Sequence, residues 1–82
     1  MTLNMVKTGE IAVIKSVKMT EESTNLRNHL LDMGLIPKTK VRVERIAPMG
    51  DPFEIYLRGY RLMLRAEEAG LAEVDIPKGD SL

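Results

Sequence analysis

The sequence predicts a mainly β fold. Its form is a small barrel of about five antiparallel strands, with one α-helix inserted near residues 24–33 and a short helical turn near 65–69. Three observations carry this. Eighty-two residues suffice for one compact core and not for two. Short runs rich in β-branched residues alternate apolar with polar positions, the period of a strand. Only one segment repeats its apolar residues at the period of a helix.

Taken in order, Gly9–Val17 reads as a strand, with Ile11, Val13 and Val17 on one face and Ala12 and Ile14 on the other. Apolar residues on both faces predict cover on both sides. Ser23 or Thr24 then serves as helix N-cap, and Leu26, Leu30 and Met33 follow at i, i+4 and i+7. Gly34 stops the helix as a left-handed residue, Leu35 stands where a Schellman motif makes its apolar contact, and Pro37 prevents resumption. Lys40–Ile46 alternates with Val41 and Val43 inward until Arg45-Ile46 breaks the pattern, as at a bulge. Pro48–Pro52 is a turn by composition. Phe53, Ile55 and Leu57 point inward from the next strand, Gly59 makes a tight connection, and Tyr60, Leu62 and Leu64 point inward from the one after. Arg65–Ala69 is helix-prone and stopped by Gly70. Ala72, Val74 and Ile76 make the last strand, leaving 78–82 as an expected mobile tail to a single domain over 1–77.

A flat sheet of five short strands has two exposed edges, and curling it into a barrel removes them. An SH3-like barrel has this strand count, with the inserted helix capping one end.

Composition excludes much chemistry. No cysteine is present, which removes disulfides and thiolate catalysis or ligation. The three serines, Ser16, Ser23 and Ser81, offer no pairing with the one histidine, His29, of the kind a hydrolase needs. The glycines are isolated, so no phosphate-cradling loop exists. Glu21-Glu22 and Glu67-Glu68 are adjacent in sequence and diverge on a helix, so they read as solvated charge. His29 and Asp32 share a helical face, but two ligands are too few for a specific transition-metal site. The expectation is no catalysis, no tightly bound cofactor, and at most weak binding of Fe²⁺ or another divalent transition metal.

Formal net charge is zero, yet residues 38–65 carry seven basic groups against three acidic ones. Arg42, Arg58 and Arg61 with Tyr56 all point outward, which would suit single-stranded nucleic acid. Only one aromatic supports stacking, and Glu44 and Glu54 interleave the arginines, so neutralisation within the fold is preferred. An SH3-like nucleic-acid module on this segment stays the alternative reading, together with a weak metal-sensing domain. No signal-peptide run or membrane-spanning stretch is present, and a soluble, intracellular chain is expected.

Four motifs in order resemble one family. Gly9–Ile14 resembles its Gly-x-x-Ala-x-Ile entry strand, Leu26–Lys38 its helix and exit, Pro48–Pro52 its P-x-G-D-P hairpin, and Gly59–Ala69 its G-x-x-l-x-L-R-x-x-E-A signature. The family is ferrous iron transport protein A (FeoA), small bacterial cytosolic proteins of SH3-like fold. Lys38 departs from a glycine common there, which implies a turn without positive φ or a strained one. The resemblance implies an accessory role beside the GTPase permease FeoB: cytoplasmic, recruited to the inner membrane face by its partner, with no nucleic acid, no membrane insertion and at most weak self-association. Met33, Leu35, Ile36, Met49 and Met63 are the candidate contact residues, as flexible apolar side chains near loops or outward positions.

Overall fold

The computed structural model describes residues 1–18 and 24–77. Five strands form one antiparallel sheet: β1 (Ile11–Val17), β2 (Lys40–Ile46), β3 (Phe53–Leu57), β4 (Tyr60–Leu64) and β5 (Ala72–Asp75). Helix α1 (Thr24–Asp32) lies between β1 and β2, and the single turn α2 (Ala66–Ala69) precedes β5. The spatial order is β4-β3-β2-β1-β5. All five strands contribute to one core, centred on Ala12, Ile14, Val41, Val43, Ile55, Leu57, Leu64 and Val74, so the sheet wraps around its own apolar face. β4 and β5 are not hydrogen-bonded to each other, and the barrel is left open between them.

Helix α1 ends as its residues require. The amide of Leu35 donates to the carbonyl of Leu30 at 3.1 Å and that of Gly34 to Leu31 at 3.0 Å. These are the two bonds of a Schellman motif. Gly34 takes φ of 108°, and Leu30 and Leu35 both enter the core. The helix is also held to β1, since Arg27 Nε donates to the Val17 carbonyl at 3.1 Å. Thr24 is its first helical residue, while Ser23 lies outside the described residues, as do 78–82.

Four expectations need correction. The inward face of β1 is Ala12, Ile14 and Val17, while Ile11 and Val13 are half-buried. A register shift between Ile14 and Ser16 makes this possible by rotating Val17 onto the face that simple alternation gives to Ser16. Tyr60 is 41% exposed, because it stands at the open barrel end and reaches the exit of α1 instead of the core. Leu62 is only partly buried, since β4 has a neighbour on one side alone. Strand β5 stops at Asp75, leaving Ile76 exposed. The bulge expected at Arg45 is present, as a shift between Val43 and Arg45.

The N-terminal segment adds a core piece that alternation does not reveal. A 3-10 turn at Leu3–Met5 buries Leu3, with Val6 beside it, against α2 and β5.

Candidate functional site

Strands β2, β3 and β4 carry Arg42, Arg45, Glu54 and Arg61 of the 38–65 segment in cross-strand rows. Arg42 pairs with Tyr56 and Tyr56 with Arg61, while Arg45 pairs with Glu54 and Glu54 with Met63. The Arg42 guanidinium lies 5.1 Å from the centre of the Tyr56 ring and donates to Glu44 Oε1 from Nη2 at 2.8 Å. That hydrogen bond, then the carboxylate charge, raises the Arg42 pKa despite some desolvation. Arg61 approaches Glu54 at 3.7 Å, and Arg58 donates to Thr39 Oγ1 at 3.2 Å. Of the three arginines that would meet a nucleic-acid backbone, Arg42 and Arg58 are thus hydrogen-bonded within the fold and Arg61 only approaches its partner, and Tyr56 has a cation over its ring where a base would stack.

His29 and Asp32 are both exposed on α1, and among the described residues no group of three or more His, Cys, Asp or Glu side chains converges. These two donors do not make a closed metal site. An open hollow of about 550 Å³ is lined by Asp51, Pro52, Arg65 and Glu67. Its carboxylates have structural partners: Asp51 Oδ1 accepts from the Ala66 amide at 2.9 Å, tying the β2–β3 loop to α2, and Glu67 meets Arg65 at 4.0 Å.

The apolar candidates divide by burial. Leu35 is wholly buried, which removes it from any contact surface, because the Schellman geometry turns it onto Leu30. Met33 is half-buried against the core. Ile36 is 36% exposed, Met63 56% and Met49 92%. Met63 also walls a second groove, of about 260 Å³, with Arg45, Ala47, Pro52 and Glu54. Tyr60 is a further exposed residue, 41% exposed. The exposure of a tyrosine whose hydroxyl donates to the Met33 carbonyl could be foreseen only from its place at the first position of an edge strand.

A five-stranded SH3-like barrel with an inserted helix, with arginines and methionines exposed on its surface, defines a small SH3-like domain. The chain belongs to the FeoA family: the family model, described as FeoA domain, matches residues 1–76. It is 37% identical to a FeoA protein from Chlorobium tepidum, with a TM-score of 0.84 over 99% of this chain and 74% of that one. A zinc-complexed FeoA from Stenotrophomonas maltophilia, described as a procaryotic SH3 domain protein, is 28% identical, with a TM-score of 0.81 over 92% of this chain and 89% of that one. A fusion of Fe(2+) transport protein A with the Fe(2+) transporter FeoB, from Porphyromonas gingivalis, is 33% identical over 76 residues. That match takes in 93% of this chain and 9% of the fusion's length.

Proposed function

We propose that the chain is an accessory protein of ferrous iron uptake, acting by contact on the cytosolic GTPase region of a FeoB-type permease and doing no covalent chemistry of its own. The observation that carries this reading is the P. gingivalis fusion, in which a region similar to this chain shares a polypeptide with a FeoB transporter. Fusion holds two modules at high effective concentration. Between separate chains the same proximity must come from surface affinity. Exposed flexible apolar side chains support such a surface: Met49 and Met63, with Ile36 at the exit of α1.

In this reading the ferrous ion is the permease's cargo and meets this chain at most weakly, through His29 and Asp32. Among the described residues no helix is long and apolar enough to cross a membrane, and the reading places the chain at the inner membrane face through its partner. The test is retention of the permease's cytosolic region by the immobilised full chain, with and without a GTP analogue. Retention in at least one nucleotide state is expected, and loss of iron-dependent growth on deleting the chain should accompany it. No retention in either state overturns the reading.

A further inference from the structure

The two edges of the sheet are finished differently. Along β5, Thr2 bridges Glu73, and the Val74 amide donates to the Met1 carbonyl at 2.8 Å. Along β4 there is no counterpart: the strand pairs with β3 alone, and among the described residues nothing else takes up its backbone groups.

The register says which groups are open. Arg58 and Gly59 join β3 to β4 with both φ positive, 46° and 86°, the signature of a two-residue type I′ turn. Such a turn makes Leu57–Tyr60 a hydrogen-bonded pair, and alternation makes Ile55–Leu62 and Phe53–Leu64 the next two. Tyr60, Leu62 and Leu64 therefore direct N–H and C=O toward β3. Arg61 and Met63 turn theirs outward.

We propose that this edge accepts an extended acidic–apolar segment of a partner protein as a sixth strand, a mode in which main-chain bonds give affinity and alternate side chains give selectivity. The proposal rests on the reading of the chain as an interaction module. The occupant follows from what flanks the edge. Arg61, Met63 and Arg65 recur at every second position on the outer face and are all exposed. Arg61 and Arg65 are linked only loosely to Glu54 and Glu67, at 3.7 and 4.0 Å. A second copy docked through β4 would crowd four arginines along one seam, whereas acidic residues opposite Arg61 and Arg65 match them in sign. Between those, an apolar side chain packs on Met63, the wall of the neighbouring groove. On the inner face, an apolar residue opposite Leu62 completes a burial that β3 alone leaves unfinished.

The test uses the full chain, isotope-labelled, and a terminally capped synthetic peptide with the core Glu-Val-Val-Val-Glu, whose glutamates fall opposite Arg61 and Arg65 and whose middle valine falls opposite Met63. The expected result is that the Arg61 and Met63 amides shift most and exchange more slowly with solvent. A lysine–valine peptide should give neither effect. Met63→Pro deletes one outward N–H without touching the ladder to β3 and should weaken binding by at least about fivefold, the worth of one net hydrogen bond. If that variant is unfolded by circular dichroism, Arg61→Glu takes its place and should exchange preference toward the lysine peptide. Shifts centred elsewhere, no binding, or equal binding of both peptides overturns the inference. Concentration-dependent broadening at Arg61 and Met63 without peptide puts a second copy there and overturns the choice of occupant. Edge binding without permease retention sustains this inference and removes the function proposed above; permease retention with no edge binding does the reverse.

Discussion

The hydroxyl of Tyr60 occupies the space that a β-carbon on Gly34 would need. A Cβ built there lies 2.5 Å from that oxygen and 3.5 Å from Leu57 Cδ1, and the hydroxyl donates to the carbonyl of neighbouring Met33. The end of α1 is thus latched to the start of β4 through a position that only glycine fills. Gly34→Ala should cost more than the roughly 1–2 kcal/mol of a left-handed backbone alone. Tyr60→Phe should cost about 1 kcal/mol for the hydrogen bond. Because Phe removes the clashing atom, the double variant should lose clearly less than the sum, in a double-mutant cycle by urea unfolding. Strict additivity would contradict the contact.

Leu62 and Leu64 alternate identically in sequence and differ in depth. Leu64 is wholly buried and Leu62 partly. Leu64→Ala should lower stability by about 2–5 kcal/mol, a large share of a small domain's total. Leu62→Ala should cost clearly less, and equal unfolding midpoints for the two would show that β4 is not an edge.

Strand alternation, the helix stop and the bulge in β2 were legible because each depends on neighbours in sequence. Val41, Val43, Phe53, Ile55 and Leu57 are buried as alternation requires, and Gly34-Leu35 marks its own geometry. Other features depend on partners far away in the chain. The bulge between Ile14 and Ser16 is set by pairing with β5, so the face of β1 was not readable locally. Leu3 and Val6 lack any period because a single 3-10 turn has none. On the candidate surface, exposure of Met49 and Met63 followed from loop and alternation position. The link of Arg61 to Glu54 needed the β3–β4 register, and the stacking of Arg42 on Tyr56 that of β2 and β3.

Lys38 bears φ of 74° where the family pattern has glycine, so the strained form of this turn is the one adopted. Its amide donates to the Ile14 carbonyl at 2.7 Å, which holds the strain in place. Lys38→Gly should raise stability by up to about 1 kcal/mol, backbone relief offset in part by the looser unfolded chain. Lys38→Val, β-branched, should lower it. Chemical denaturation of both variants decides, and a stabilised Val variant would contradict the strain.

The Glu73 carboxyl is held below its ordinary value of 4.5, first by the hydrogen bond from the Met1 ammonium and then by that group's charge. The contact is 3.0 Å long. With its folded-state pKa depressed, the group adds stability above the unfolded-state value and loses it as pH falls through the folded one. Glu73→Gln should therefore flatten part of the acid limb of the stability curve below about pH 4.5 and reduce its salt sensitivity. An unchanged limb would show that the contact carries no folding free energy.

That same contact joins residues 72 positions apart, and β1, first of the strands in sequence, is paired between β2 and β5, the last. Neither the N-terminal turn nor β1 can complete its pairing until the last strand exists. A chain wired this way has its decisive contacts among the most distant, which places it with the slow, millisecond-to-second folders of similar size. During synthesis the early strands must wait, apolar face uncovered, and the barrel forms only when nearly the whole sequence has been delivered.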